Sequence, residues 1–240
     1  MSAENSTERQ RKIFLVYIIE SPSPVDLYHK TSEGEILSRA LSLAGIPCIH
    51  RLAVNLEAFI ASLTIGLQEH LKQADALPPI LHISAHGSAA GVQLTSDEVV
   101  NWNKLRDLIM PINKALKGNL ILCMSSCEGF SACRMAMSEG DIPFLGIIGH
   151  SGKPTWSDTA IGFATFYHLL AKGQYVREAV EAMKSASGDN GFQEIQGKIA
   201  REIYIDKIKK IRMQALLEEL RRSTPKVPES PLAKALREIK

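Results

Sequence analysis

The sequence predicts an α/β fold, a mainly parallel sheet with helices on both faces followed by a C-terminal helical extension. Short continuous apolar runs bounded by turn residues fit buried strands of a parallel sheet. These runs alternate with segments of helical spacing, as in successive βα units. Beyond residue 191 the alternation gives way to one long helical stretch. The 240 residues, 45% hydrophobic and 22% charged, suffice for one domain of about 200 residues plus an appendage.

Residues 13–19 are β-branched and aromatic, a first strand by propensity, and Ser21-Pro-Ser-Pro24 ends it as a loop. Residues 33–44 carry apolar side chains at helical spacing and Gly45 stops them. Strand 48–54 and a long helix over 56–76, with Phe59, Leu63, Leu67 and Leu71 four apart, follow. A strand from Ile80 ends in His86-Gly87. Residues 92–102 are compatible with a short hairpin, and 104–116 with a helix that Pro111 should bend or interrupt. Strand 119–126, helix 130–138, strand 143–149 and helices at 158–171 and 176–186 complete the pattern. The expected organisation is a flexible polar segment 1–12, a main domain 13–191, a helix 192–222 and a proline-rich linker with a short tail, 223–240.

No run reaches the roughly 18 apolar residues of a membrane span, and the polar start lacks the apolar core of a signal peptide. Cys48, Cys123, Cys127 and Cys133 have neither metal-type nor disulfide-framework spacing, so a reduced, cytoplasmic protein is expected. The net charge of +2 is uneven: residues 198–240 hold 12 basic and 6 acidic side chains, the rest 16 and 20. A basic helix with Tyr204, Ile208, Ile211 and Ala215 on one face either packs on its own domain or meets a partner. A regulatory protein or a second copy of the chain could dock through 192–222.

His86-Gly87 and Cys127 each end an apolar strand-like run, 41 residues apart, room for a crossover with a helix. In a parallel sheet their carboxyl ends share one edge, which would bring an imidazole beside a thiol, the pairing needed for nucleophilic catalysis. Gly87 permits close backbone approach. Cys127 lies where strand turns to helix, and a helix N-terminus favours the thiolate. Against this stands the ordinary reading of both as core residues. Other chemistries fit poorly. His82 and His86 would be roughly 13 Å apart on a strand, too far for one metal. Gly146-Ile-Ile-Gly-His-Ser-Gly-Lys-Pro154 misses phosphate-loop spacing by one residue and has proline where a magnesium-binding hydroxyl belongs. No cofactor is indicated, and no basic–aromatic interleaving points to nucleic acid.

An apolar strand ending in His-Gly, followed by one ending in Ser-x-Cys-Glu, resembles the caspase–separase group of cysteine peptidases, and CHAT domains most of all. Gly146-Ile-Ile-Gly149, Ser157-Asp158, the Phe166-Tyr167 helix closing on Leu170-Ala-Lys-Gly173, and Val176-Arg-Glu-Ala179 extend the likeness over residues 13–188. It implies a caspase-hemoglobinase-like three-layer sandwich hydrolysing peptide bonds through a thioester. Cys127 would be the nucleophile and His86 the general base and acid. The N–H groups of Gly87 and Cys127 would bind the oxyanion. The resemblance places an acidic residue at Asp158, in the pocket for the side chain preceding the cut, where it would select Arg or Lys. Ser157-Asp158 also reads as an ordinary helix N-cap. The family tryptophan that precedes the aspartate is displaced: Gly152 stands in its region and Trp156 comes later. No third catalytic residue is evident in the sequence. The alternative is a catalytically silent CHAT-like binding or scaffolding module.

Overall fold

The computed structural model describes residues 13–138 and 140–223. The expected flexible segment 1–12 and the proline-rich tail from 224 onward lie outside them. The chain divides into two compact units, residues 1–201 and 202–240.

The first unit is built on one sheet. Its strands are β1 (Leu15–Ser21), β2 (Cys48–Leu52), β3 (Pro79–Ser88), β4 (Gly91–Gln93), β5 (Val99–Asn101), β6 (Ile121–Ser125), β7 (Gly146–His150) and β8 (Phe192–Gln196). The main path runs β2-β1-β3-β6-β7-β8, and the β4–β5 hairpin extends from the end of β3. All pairings along the path are parallel except β7–β8.

Strand side chains alternate between two apolar layers, as the period of two requires. One face collects Tyr17, Ile19, Leu81, Ile83, Leu122 and Met124. These pack against α3 (Leu56–Ala61), the helical turns that continue it, α5 (Trp102–Ala115) and the 3-10 helix Gly129–Ala136. The other face collects Val16, Ile18, Ile80, Cys123 and Ile148 against α2 (Glu33–Leu43), α6 (Trp156–Ala171) and α7 (Val176–Ser187). The fold is thus α/β, a mostly parallel sheet flanked on both faces by helices.

Several elements differ from expectation, each for a local reason. The loop at Ser21–Pro24 leads directly into a short helix, α1 (Pro24–His29). Ser23 caps it, Pro24 supplies its first turn, and Asp26 closes a capping box with Ser23. The long helix expected at 56–76 is helical only to Leu71, and it widens into a π turn over Ser62–Leu67 before α4 (Gln68–Leu71). The buried Tyr17 hydroxyl donates to the Ser62 carbonyl in that turn at 2.8 Å. Pro111 does not interrupt α5: it lies on the exposed side, so the Asp107 carbonyl it leaves unbonded faces water. The segment expected as helix 130–138 is the tighter 3-10 form.

The largest correction concerns residues 192–222. Phe192–Gln196 is not helical but strand β8, paired antiparallel with β7, and it carries the first unit past the expected boundary at 191. Helix α8 (Gly197–Ser223) starts afterwards. In the second unit Ile203, Ile205, Ile211, Met213, Leu216, Leu217 and Leu220 are each at least two-fifths exposed and spread around the helix, while Tyr204 and Ile208 of the expected face are partly buried. Among the described residues no helix is long and apolar enough to cross a membrane.

Gly149 shows how closely β7 meets the segment after the cysteine. A Cβ at this position would lie 2.8 Å from the Phe130 nitrogen and 2.9 Å from the Gly129 carbonyl carbon, both backbone atoms unable to yield locally. Gly149→Ala is therefore expected to destabilise the protein by about 1–3 kcal/mol, as overpacking does, measured by denaturant unfolding. An unchanged midpoint would show that the 129–130 backbone can retreat.

Candidate active site

The site forms at the carboxyl edge of the sheet, where the strand order changes direction between β1 and β3. Every β3–β6 pair, from Ile80↔Ile121 to Ser84↔Ser125, joins residues 41 apart in sequence. His86 and Cys127 have that same separation. Both lie past the last of these pairs, His86 near the end of β3 and Cys127 in the turn after β6, and they line the same cleft.

Three levels thus follow one another toward this edge, two of them paired in the sheet, and their environments differ sharply. At the deepest, His82 and Cys123 are a histidine–cysteine pair in the core. His82 Nδ1 lies 2.9 Å from the Tyr167 hydroxyl, and burial drives the imidazole down to about 3 and the Cys123 thiol up to about 12. Both are neutral and inert. At the middle level, the hydroxyls of Ser84 and Ser125 donate to Glu33, the first residue of α2 and fully enclosed. Burial raises the Glu33 carboxyl to about 7, against hydrogen bonds from Ser84, Ser125 and Thr159 and with reinforcement from the charge of Glu20. At the outermost level His86 and Cys127 are partly exposed.

Gly87 makes this last level possible. A Cβ there would fall 2.6 Å from the Cys127 carbonyl oxygen and 2.8 Å from Ser126 Cβ, so only glycine lets the end of β3 lie against the cysteine segment. The backbone then turns sharply: Glu128 adopts φ +53°, and Gly129 N–H donates to the Ser126 carbonyl to open the 3-10 helix.

His86 has an orienting carboxylate that sequence reasoning missed. Asp26 Oδ2, on α1, lies 3.0 Å from His86 Nε2. An ionised carboxylate only accepts, so Nε2 carries the proton and Nδ1 is left for chemistry. Burial would raise the Asp26 carboxyl, but hydrogen bonds from Ser23 and His86 outweigh it and hold it below its ordinary value. The ring of Trp156 meets His86 edge-on, centroids 5.4 Å apart.

A second histidine, His150 at the end of β7, fastens the loop facing Cys127. Its Nδ1 accepts from Gly152 N–H at 2.9 Å, and the Gly152 carbonyl accepts from Glu128 N–H at 2.6 Å. His150 Nε2 lies 2.9 Å from Asp189 Oδ1, within ion-pair distance though out of line for a hydrogen bond. That contact leads the interactions that lower the Asp189 carboxyl. The same loop supplies Pro154 and Trp156, which with Ala85 and Thr159 wall a cleft of about 80 Å³ around His86, Ser126 and Cys127.

His86, Gly87 and Cys127 are therefore brought together. Asp158 is not among the residues that line this cleft. It is the third residue of α6, and its Oδ2 accepts from the Thr155 hydroxyl at 2.6 Å in a capping box. Burial raises the thiols of Cys48, Cys123 and Cys133. Ser23-Pro-Val-Asp26 carried a readable helix-start signature, whereas nothing in the sequence tied Asp26 to a histidine 60 residues on. Neither a scan against protein-family models nor a search of curated proteins finds a match for the chain.

The buried Glu33 makes a pH-dependent prediction. Its folded value, about 7, lies above its ordinary 4.5, so between those limits the folded chain holds a proton that the unfolded chain has lost. Its contribution is fully present below pH 4.5 and is lost as pH rises to about 7. Glu33→Gln removes this dependence. The variant should gain on the wild type by roughly 3 kcal/mol between pH 4.5 and 7.5, read from paired urea melts. A difference that stays constant across that range would mean the carboxyl is not protonated when folded.

Proposed function

We propose that this protein is a cysteine endopeptidase of the CHAT, caspase–separase type, with a caspase-hemoglobinase-like fold, in which Cys127 and His86 form the catalytic pair. The observation that carries the reading is that these two residues line one cleft at the carboxyl edge, with Asp26 on Nε2 of the imidazole. Asp26 holds the ring and its tautomer, as an orienting carboxylate does in nucleophile–base–orienter sites.

Cys127 Sγ, deprotonated by His86 Nδ1, attacks the carbonyl carbon of the scissile peptide. The oxygen becomes an oxyanion, stabilised by the N–H groups of Gly87 and Cys127. The C–N bond breaks as the imidazolium gives its proton to the departing amine, leaving a thioester. Water, activated by the same imidazole, attacks the thioester; the carboxylic acid leaves and the thiol is restored. Control by a protein partner or a second copy through the helix beyond 197 belongs to the same proposal, supported by the exposed apolar residues of that helix and its basic charge.

Cleavage of a mixed peptide library, followed by mass spectrometry, tests the assignment. Cys127→Ala and His86→Ala should each abolish turnover without changing the melting temperature by more than a few degrees. Asp26→Asn should lower kcat by at least about tenfold, since general acid–base help of this kind is worth 10²–10⁴-fold. Cys133→Ala should remain active. An active Cys127→Ala variant would remove this mechanism, whereas no cleavage by the wild type together with failure of a thiol-reactive peptide probe to label Cys127 would leave the silent scaffolding module as the reading.

A further inference from the structure

His150 is a buried polar side chain with no part in the chemistry proposed above. It ends β7, is 5% exposed, and its ring stands edge-on to Phe192 with centroids 5.0 Å apart. The slot that holds it depends on a glycine, since a Cβ at Gly191 would overlap the imidazole. Burying an imidazole is unfavourable unless its polar atoms are engaged. Nδ1 is engaged: it accepts from Gly152 N–H at 2.9 Å, so the ring proton is on Nε2, beside Asp189 Oδ1. This bond runs from a side chain to the N–H two residues on, as in an Asx turn.

Gly152 passes the constraint toward the thiol. Its carbonyl accepts from Glu128 N–H at 2.6 Å. That N–H belongs to the peptide unit joining Cys127 to Glu128, and the other end of the same unit is the Cys127 carbonyl. Gly87 leaves room for this carbonyl, where a Cβ would lie 2.6 Å from the oxygen. Because a peptide unit is planar, the one after Cys127 is held at both ends, by β3 on one side and by the Gly152 carbonyl on the other. Its orientation fixes ψ of Cys127 and so the backbone that carries the thiol. The next residue depends on the same bond: Glu128, at φ +53°, occupies the left-handed region, which costs a residue with a side chain backbone strain.

We propose that His150 is a positioning residue for Cys127, acting through Gly152 and the peptide unit 127–128. The proposal rests on the peptidase reading of Cys127 and His86. His150 is not among the residues that line the cleft. Its Nδ1 sets Gly152, Gly152 sets the peptide unit, and that unit sets Cys127 against the end of β3. Without an acceptor at position 150, the Gly152 carbonyl is free to turn away and Glu128 relaxes from its left-handed conformation. The turn that bears the nucleophile then shifts. A misplacement of about 1 Å is enough to cost roughly 10²-fold in rate.

The test compares full-length wild type, His150→Leu and His150→Asn on a mixed peptide library read by mass spectrometry, with Cys127→Ala as the control. Leucine fills the slot without an acceptor, whereas asparagine offers its side-chain carbonyl to the same N–H. His150→Leu should cleave at least about tenfold more slowly than wild type, and His150→Asn should recover to within about threefold of it. Packing alone would give the opposite order, leucine being the better apolar filler. Amide hydrogen exchange supplies a second reading. In His150→Leu the Glu128 amide should exchange about tenfold faster while the amides of β3 and β6 keep their protection. Wild-type cleavage by His150→Leu, equal losses in both variants, or a Glu128 amide still protected in His150→Leu overturns the role of His150 and leaves the peptidase reading standing. No library cleavage by the wild type, or cleavage indifferent to Cys127→Ala, removes the peptidase reading and the positioning role with it.

Discussion

The parallel register of β3 and β6 is the constraint on which the site depends. With an offset of 41 residues, the pairing sets His82 beside Cys123 and Ser84 beside Ser125, and beyond its last pair His86 and Cys127 come to line one cleft. Because side chains alternate, a slip of one residue would send one member of each pair to the opposite face. Glu33 reinforces the alignment from the helix layer, since its single carboxyl accepts from the hydroxyls of both strands at the middle level. A buried carboxyl is an expensive way to join two strands, but it is directional, as apolar packing is not.

The same register presents one pair of functional groups twice. His82 with Cys123 and His86 with Cys127 share the same sequence separation, yet only the outer pair is open to solvent. The inner pair has lost its solvent: the imidazole stays neutral far below its ordinary range and the thiol far above. What separates the enclosed pair from the exposed one is four residues along the chain, together with the closure of Tyr167 and Phe163 over the inner ring. Residue type alone could not have told the pairs apart; position along the strand did, because the apolar run ends between them.

Much of the fold was legible because strands and helices announce themselves by period. The core strands and the helices at 33–43, 102–115, 156–171 and 176–187 appear close to where the apolar spacing put them. Phe192–Gln196 was not legible. Its Phe-x-x-Ile spacing suits a helix as well as a strand, and only pairing with β7 decides in favour of the strand. The juxtaposition of His86 and Cys127 could be reasoned from strand ends, because a parallel sheet aligns them. Asp26 and Glu33 could not. Each looks like an ordinary acidic residue in the first turn of a helix, where carboxylates are common on the surface. Their partners come from strands 50 or more residues away, and burial of that kind exists only once the chain is folded. Asp158 is the converse case, a helix-start carboxylate that the fold uses as one.

The Glu128 N–H to Gly152 carbonyl bond has a bearing on how this site could change over evolution or by engineering. It ties the residue after Cys127 to the loop that carries Pro154 and Trp156, and His150 anchors that loop in turn. The turn that bears Cys127 and the loop that walls the cleft are therefore not separate modules. A segment spanning 150–156 exchanged for another, as a cassette, would carry the backbone around Cys127 with it. Side-chain replacements within a fixed loop length keep the bond between Glu128 and Gly152, whereas a longer or shorter loop must re-form it beside Cys127.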